Sequence, residues 1–470
     1  MRHLKGTSAI SSPYSTPLHY DGKYATLLMF AIWVLVVFMV VPDGFKYEIV
    51  VDADMPTTGS PMSRMLWLAL LGVGFLFTIW RILLARVLIL HGNLYFFAFV
   101  ILAALSILWS IDPGVTIRRM IRVVTITFVA MSFVLVSWQP RSFQNALRPI
   151  FTILTIGSII FAIAAPDLAI ETSEDQAELV GAWKGLATQK NGLGSIAAMS
   201  TLLWLHAWIS GQSRKHIAAF GVAVSVFCLL KSRSSTSLMG TLFASMLMLM
   251  LMYSPRGLRR YMPYLIGVFV GIILVYSLAV LHLVSGLDFL LTPITSFTGK
   301  DLTFSGRTAI WEIINAHIAQ SPFLGTGYGA YWVGKVVTSP SYEMVQKLYF
   351  YPTESHNGYL DVINDLGILG GICLLGFMIV YLRQALQVLA FDKAQGALYL
   401  VLLFEQLIAN LTESMWLSVR SLEFVIMTLA AMCLSRTVLQ QKFIASAAAE
   451  RARQATLSAR SLGSSGIRRQ

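Results

Sequence analysis

The sequence predicts an all-α polytopic membrane protein, with about 12 transmembrane helices and one large outward-facing loop that carries short amphipathic helices. Three observations predict it. Of the 470 residues, 56% are hydrophobic and only 12% charged, with mean hydropathy +0.69, whereas a soluble chain carries roughly a quarter of its residues charged. Apolar runs of bilayer-spanning length follow one another with short polar joints. Lys and Arg are distributed unevenly between alternate joints. Soluble enzymes and DNA-binding proteins are thereby excluded, and no nucleic-acid partner is expected despite a net charge of +12. On a polytopic chain a basic surplus reports orientation in the bilayer.

The expected spans are 25–41, 65–84, 94–111, 117–137, 147–165, 193–209, 217–230, 237–252, 264–283, 359–382, 397–411 and 415–434. The seventh is short and relies on flanking polar residues that snorkel, so the count is good to within one. Placing both termini inside puts 21 of the 35 Lys and Arg on the inner side. Setting aside Glu405 and Glu423 within spans, three acidic residues then lie inside and 18 outside. The organisation that follows is a cytoplasmic segment 1–24, spans one to nine over 25–283, a large outward-facing loop 284–358, spans ten to twelve over 359–434 and a basic cytoplasmic tail 435–470. The first 24 residues are polar and show no cleavable signal, so span one reads as a signal anchor. The tail is too poor in apolar side chains to build a core and is expected to be disordered or a loose helix. Cys228, Cys373 and Cys433 sit in apolar runs and read as packing residues, without disulfide or metal roles.

Polar residues concentrate on the outer face. In the large loop, apolar residues at helical spacing over 307–320 predict a short amphipathic helix on the outer membrane surface, stopped by Pro322. Gly325, Gly327 and Gly329 then alternate with Thr326, Tyr328, Tyr331 and Trp332, a pattern read as tight turns with aromatic cover. At the loop's end stands His356, and Asn357, Asp361 and Asp365 share one face of span ten at i+4 spacing. Carboxylates in the outer part of a span are expensive unless they line a wet cavity, which marks a site. Gly367, Gly370 and Gly371 below them read as a smooth packing patch. Cations also gather outside, where the positive-inside rule depletes them: Arg118, Arg119 and Arg122, Lys184 and Lys190, Lys231 and Arg233, and Arg307. With a histidine nearby, they suggest an anionic group bound at the outer surface.

At these residues the sequence resembles the O-antigen ligase and Wzy-type polysaccharide polymerase superfamily. The family pattern of His, then Asn, Ser or Gln, nine residues, Gly, two residues, and Gly, Thr or Tyr is met by His356, Asn357, Gly367 and Gly370 at the required junction of long loop and span. Similarity extends through Trp109 to Pro113 with Arg118 and Arg119, through Gln189 to Gly194, Ser232 to Ser234, Ser305 to Arg307, and Leu411 to Ser414. The stretch Lys190 to Gly194 is closer to exopolysaccharide polymerases of the ExoQ type than to ligases. One departure is that Arg233 is followed by Leu five positions later, where ligases often have four.

The resemblance implies a multi-pass enzyme of the bacterial inner membrane with both termini cytoplasmic and the large loop 284–358 periplasmic. Its donor would be a glycan on undecaprenyl pyrophosphate, its acceptor a second lipid-linked glycan, with membrane lipid, a flippase and a chain-length regulator as further partners. A base must take the acceptor proton and cations must meet the departing pyrophosphate. His356 is the candidate base. Arg233 and Arg307, with Arg118, Arg119, Arg122 and Lys190, are the pyrophosphate candidates, and Asn357, Asp361, Asp365, Tyr328, Trp332 and Glu413 are expected to orient groups or hold sugar. No cofactor or metal is required by this scheme, and direct displacement would invert the anomeric centre. An O-antigen ligase acting on lipid A core is the nearest alternative. A transporter is the alternative of another class, and Glu405 is the deeply placed carboxylate it would use.

Overall fold

The computed structural model describes residues 22–42, 60–137, 141–172, 180–255, 307–334, 337–348 and 350–466, with single positions between them. Expected span nine, the first 21 residues, and 284–306 with Ser305 and Gly306 lie wholly or almost wholly outside the described residues. In chain order the helices are α1 (Gly22–Val40), α2 (Pro61–Trp80), α3 (Ile82–His91), α4 (Leu94–Leu105), α5 (Pro113–Val136), α6 (Ser142–Ala164), α7 (Pro166–Ala169) and α8 (Lys190–Ile209). There follow α9 (Lys215–Lys231), α10 (Ser235–Tyr253), α11 (Arg307–Ile318), α12 (Tyr342–Leu348), α13 (Gly358–Phe391), α14 (Lys393–Ala409) and α15 (Leu422–Gly466). Among the described residues, eight helices are long and apolar enough to cross a bilayer, or nine if one bent pair counts as a span. The all-α polytopic membrane fold expected from the sequence is observed. Helices α9 and α14, with 17 residues each, stand where spans seven and eleven were expected.

Burial ranks the helices. Within their apolar windows α15 is 94% buried and α5 72%, whereas α2 is 22% buried and lies along α5. The centre is therefore α5 with α15, around which α1, α6, α13 and α14 are arranged. Outward faces keep Leu68, Leu76, Leu83 and Phe220 exposed, as suits lipid contact. Helix starts are capped where the sequence supplies an acceptor. Asp112 Oδ1 accepts from Val115 N at 2.9 Å before Pro113, and Asp392 Oδ1 accepts from Gln395 N at 3.1 Å.

Four boundaries depart from expectation. Span two ends at Trp80, because Arg81 caps it and lies over the Trp80 ring at 4.4 Å. The residues beyond form α3, which is bent by 102° from the helix over Leu94–Leu108. Helix α11 packs into the protein rather than lying on the membrane surface. Ile310, Trp311, Ile313 and Ile314 are all buried, and the Trp311 indole N–H donates to Ser355 O at 2.9 Å. An amphipathic pattern gives one apolar face and does not say whether lipid or protein covers it. Where the tail was expected to be disordered or a loose helix, helix continues to Gly466; Ala447, Ala448 and Ala449 are strong helix formers.

The fourth departure concerns span twelve. Residues 410–421 are turns, not helix, and α15 starts only at Leu422. Asn410 Oδ1 accepts from Met415 N at 2.9 Å and Trp416 N at 2.6 Å, and Leu417 takes a positive φ of 55°. The apolar Met415, Trp416 and Leu417 are buried, so hydropathy alone reads this loop as membrane span.

Helix α13 is broken at Gly367 (φ 62°, ψ −161°). Its orphaned amides are met by the segment after α11: Ile368 N donates to Pro322 O at 2.8 Å and Leu369 N to Phe323 O at 3.4 Å. The freed carbonyls are met too, with Thr326 N donating to Asn364 O at 3.1 Å and Gly327 N to Asp365 O at 2.9 Å. Gly367 thus serves a close approach of backbone, not of a helix as its pattern suggested. A Cβ there would lie 2.3 Å from the Phe323 carbonyl carbon and in a conformation L-residues avoid. Gly367→Ala is expected to lower stability by at least about 2 kcal/mol, whereas Gly371→Ala, whose Cβ would meet only Ile363 at 3.6 Å, is expected to be near neutral. Melting temperatures of the two purified variants decide it; equal values would remove the break's structural role.

Candidate active site

Four segments distant in sequence meet at one end of the bundle: the start of α8, the start of α11, the stretch before α13 and the 410–421 loop. Glu413, 5% exposed, is their common point. Its Oε1 accepts from Asn191 Nδ2 at 2.8 Å and from Arg307 Nη2 at 3.2 Å. Its Oε2 lies 3.7 Å from His356 Nδ1, and Glu354 Oε1 faces the same nitrogen at 3.3 Å. The imidazole stays open to the outside, its side chain 30% exposed.

The backbone here leaves little freedom. His356 has φ 55°, an uncommon conformation for a non-glycine residue. Asn357 Oδ1 caps α13 by accepting from Tyr359 N at 3.1 Å and Leu360 N at 3.2 Å, and Asn357 N donates to Ser414 Oγ at 3.2 Å. Gly358 N donates to the carbonyls of both Asn410 and Glu413, at 3.0 and 3.1 Å. The 410–421 loop and the start of α13 are thus one hydrogen-bonded unit.

The electrostatics of His356 follow from this geometry. Burial alone would lower its pKa, but the carboxylates of Glu354 and Glu413 outweigh that and push it up to about 9. At pH 7 the ring is therefore mostly imidazolium, whereas a histidine at the ordinary value near 6.5 would be mostly neutral. One ligand atom each from Glu354, His356 and Glu413 lie within 4.8 Å of one another, a spacing a divalent cation would accept. Arg307 already sits on Glu413, so this carboxylate is neutralised by the protein's own cation.

Beside this cluster lies a cavity of about 50 Å³, lined among others by Arg119, Trp332, Glu354, Asp361, Asp365 and Arg420. Most of its polar groups are committed to one another, although Asp365 Oδ1 is buried without a hydrogen-bond partner among the described residues. Asp361 accepts from Trp332 Nε1 at 3.0 Å and Ser355 N at 3.4 Å, and Asp365 Oδ2 from Gly329 N at 2.7 Å. Arg119 donates to the Gly329 carbonyl and to Trp332 O, the latter at 2.7 Å, while Arg420 reaches Trp332 O and Thr353 O, both at 3.1 Å.

Several expected roles are corrected by this arrangement. Among the described contacts neither Asp361 nor Asp365 bonds to the His356 ring; Asp361 holds Trp332 and the neighbouring Ser355 N, and Asp365 braces the turn at Gly329. Tyr328, Tyr331 and Trp332 are 4%, 0% and 5% exposed, so their rings are not free to stack on sugar. Tyr328 instead donates its hydroxyl to Leu417 O, and burial raises its pKa far above the ordinary phenol value. Arg119 is a structural cation, and Arg122 stacks on Trp67 at 5.5 Å. Arg233 Nη1 donates to Val180 O at 2.9 Å rather than to the Glu413 cluster. Arg118 is exposed near Gly114, and Lys190 opens α8 one residue before Asn191. Of the cations proposed from sequence, Arg307 alone bonds directly to the cluster among the described residues. Glu354, Asn191 and Arg420 were not assigned roles. Asn191 lay in a quoted motif, whereas Glu354 and Arg420 sit in turns, where no periodicity points to them.

Fold and site together define a class: a polytopic helical membrane protein with an ionised cluster gathered at one end of its bundle. Two comparisons narrow it. The family model described as O-antigen ligase (Wzy_C) matches residues 220–375. The chain is 26% identical over 291 residues to the exopolysaccharide production protein ExoQ of Rhizobium meliloti (strain 1021), a match that covers 60% of this chain and 62%, less than two thirds, of the relative. The resemblance to the O-antigen ligase and Wzy-type polysaccharide polymerase superfamily, with ExoQ-like proteins among the relatives, is borne out.

Arg119→Ala leaves the Gly329 carbonyl unmet and Trp332 O with Arg420 alone, and is expected to cost roughly 1–3 kcal/mol of stability, while Arg118→Ala is expected to change stability by less than about 0.5 kcal/mol. Thermal unfolding of both variants in one detergent checks this; equal losses would mean that Arg119 is not the structural cation.

Proposed function

We propose that the chain is a membrane glycosyltransferase that polymerises lipid-linked oligosaccharide repeats into exopolysaccharide or O-antigen. The donor in this reading is a glycan on undecaprenyl pyrophosphate and the acceptor a hydroxyl of a second lipid-linked glycan. The site then faces the periplasm from the inner membrane, with both termini cytoplasmic; a flippase and a chain-length regulator are its expected partners. The observation that carries the reading is the contact of Arg307 and His356 with one carboxylate, Glu413, at the position of the family's His-Asn motif.

The chemistry follows from that juxtaposition. The acceptor oxygen attacks the anomeric carbon, its proton passes to the His356 ring, and the bond to pyrophosphate breaks with its electron pair. Arg307 meets the leaving charge; a guanidinium has five N–H donors, so it can hold phosphate oxygens without releasing Glu413. Arg233, Arg118 and Lys190 lie on the same predicted face and would act at longer range. Asn357 serves by fixing the start of α13 rather than by touching sugar. No step uses a metal, and a single displacement inverts the anomeric centre.

The description of the matched family favours a second reading, transfer of finished glycan to lipid A core. Deleting the gene separates them: single repeats or missing long polymer indicate a polymerase, full-length polymer left on its carrier a ligase. A carrier would depend on Glu405, which is 5% exposed and bonded to Gln406 Nε2 at 2.8 Å.

A base works only when neutral. Because the His356 pKa is raised to about 9, activity should increase with pH, by close to tenfold per unit between about pH 7 and 8, and level off above about pH 9. His356→Ala should lose at least about a hundredfold in rate. Chain-lengthening assays in isolated membranes measure both. A variant that lengthens chains normally, or linkages that retain the donor's anomeric configuration, would refute the mechanism.

A further inference from the structure

We infer that Glu354 is a positioning residue, which holds the proton of the neutral His356 ring on Nδ1 and so leaves Nε2 to accept the proton of the acceptor hydroxyl. The inference rests on the base reading above and adds a residue to it. Two carboxylates face Nδ1, and their surroundings divide their roles. Glu413 spends Oε1 on Asn191 and Arg307, and its other oxygen stays 3.7 Å from the ring. That distance allows a charge interaction but is too long for a hydrogen bond. Glu354 Oε1 is closer, at 3.3 Å, near enough for a hydrogen bond but not aligned for one, which leaves the buried Nδ1 without a hydrogen-bond partner among the described residues; the Glu354 side chain is 24% exposed. Catalytic hydrogen bonds are often long before substrate arrives and tighten with it.

The backbone makes the pairing durable. Thr353 O is held by Arg420 Nη1, Ser355 O by the Trp311 indole, Ser355 N by Asp361, and Asn357 N by Ser414. Glu354 and His356 therefore alternate with anchored residues, and His356, at φ 55°, has Nδ1 3.3 Å from Glu354 Oε1. A carboxylate on one imidazole nitrogen fixes the tautomer and stabilises the imidazolium formed when the other nitrogen takes a proton. In the transfer step the hydroxyl proton moves to Nε2 as the new C–O bond forms, and the electron pair of the broken bond leaves with the lipid diphosphate. The ring's positive charge then lies against Glu354 and Glu413 until the proton passes to water. Glu413 thus links the ring to Arg307 and the leaving group, and Glu354 governs the acceptor's proton.

The test uses the full chain in lipid nanodiscs with ¹⁵N-labelled histidine, His356 being assigned by difference from His356→Ala. The expected result is a neutral ring protonated on Nδ1 and, in Glu354→Gln, a titration midpoint lowered by about one pH unit or more. Assayed above about pH 9, where the ring is mostly neutral in both forms, the same variant should lose about ten- to a hundredfold in kcat with KM for the lipid-linked acceptor within twofold, while Glu354→Asp recovers part of the loss. Matching melting temperatures of the Glu, Gln and Asp forms separate this effect from misfolding. A Gln variant with unchanged midpoint and kcat, or a neutral ring that carries its proton on Nε2, overturns the inference and leaves the base reading standing. An active His356→Ala overturns the base reading, whatever Glu354 does.

Discussion

The contact on which this end of the bundle depends is the Glu413 carboxylate. A nearly buried anion is costly unless paired and hydrogen-bonded, and Glu413 is satisfied only when Asn191, Arg307 and His356 are all in place. These come from the start of α8, the start of α11 and the turn before α13. The need to compensate one charge thereby helps to fix three elements far apart in sequence, with α11 also held to the turn before α13 by the Trp311 bond to Ser355. Chemistry needs the same convergence: an anion site and a proton acceptor within reach of one another.

The 410–421 loop that presents Glu413 is possible because Asn410 replaces a helical turn with side-chain acceptors for Met415 and Trp416. Local hydrogen bonds of this kind compete with helix. The loop then returns Gly358 N to two of its own carbonyls, so the motif histidine and Glu413 are held by one network. Removing one member leaves buried polar groups unmet, which costs more than the bond itself contributes.

The membrane class and most helices were legible because bilayer insertion imposes a length and composition that few other folds share. That His356, Arg307, Asp361 and Glu413 stand near one end of the bundle was legible from their places at the ends of apolar runs. What hydropathy hid was the loop at 410–421, since Met415, Trp416 and Leu417 are as apolar as any span. It also hid the cover of α11, because lipid and protein accept the same face. Charge counting did not separate Arg307, on the carboxylate hub, from Arg119 and Arg122, which brace the fold. A guanidinium satisfied by carbonyls or an indole looks identical in sequence to one that waits for phosphate. Glu354 was invisible because it sits in a turn, where no periodicity points to it.

The exchange of hydrogen bonds at the α13 break carries a mechanical consequence. Residues 322–327 substitute for a turn of helix on both sides of Gly367, and Trp109 Nε1 and Ile111 N tie the same stretch to the segment before α5 at 3.0 and 2.9 Å. Such a splice cannot swing like a flap, because displacing it would expose helix amides and carbonyls together. Residues 322–327 are thus a fixed strut that leads into the turns at Tyr328 and Gly329 beside the cavity, rigid before any ligand arrives.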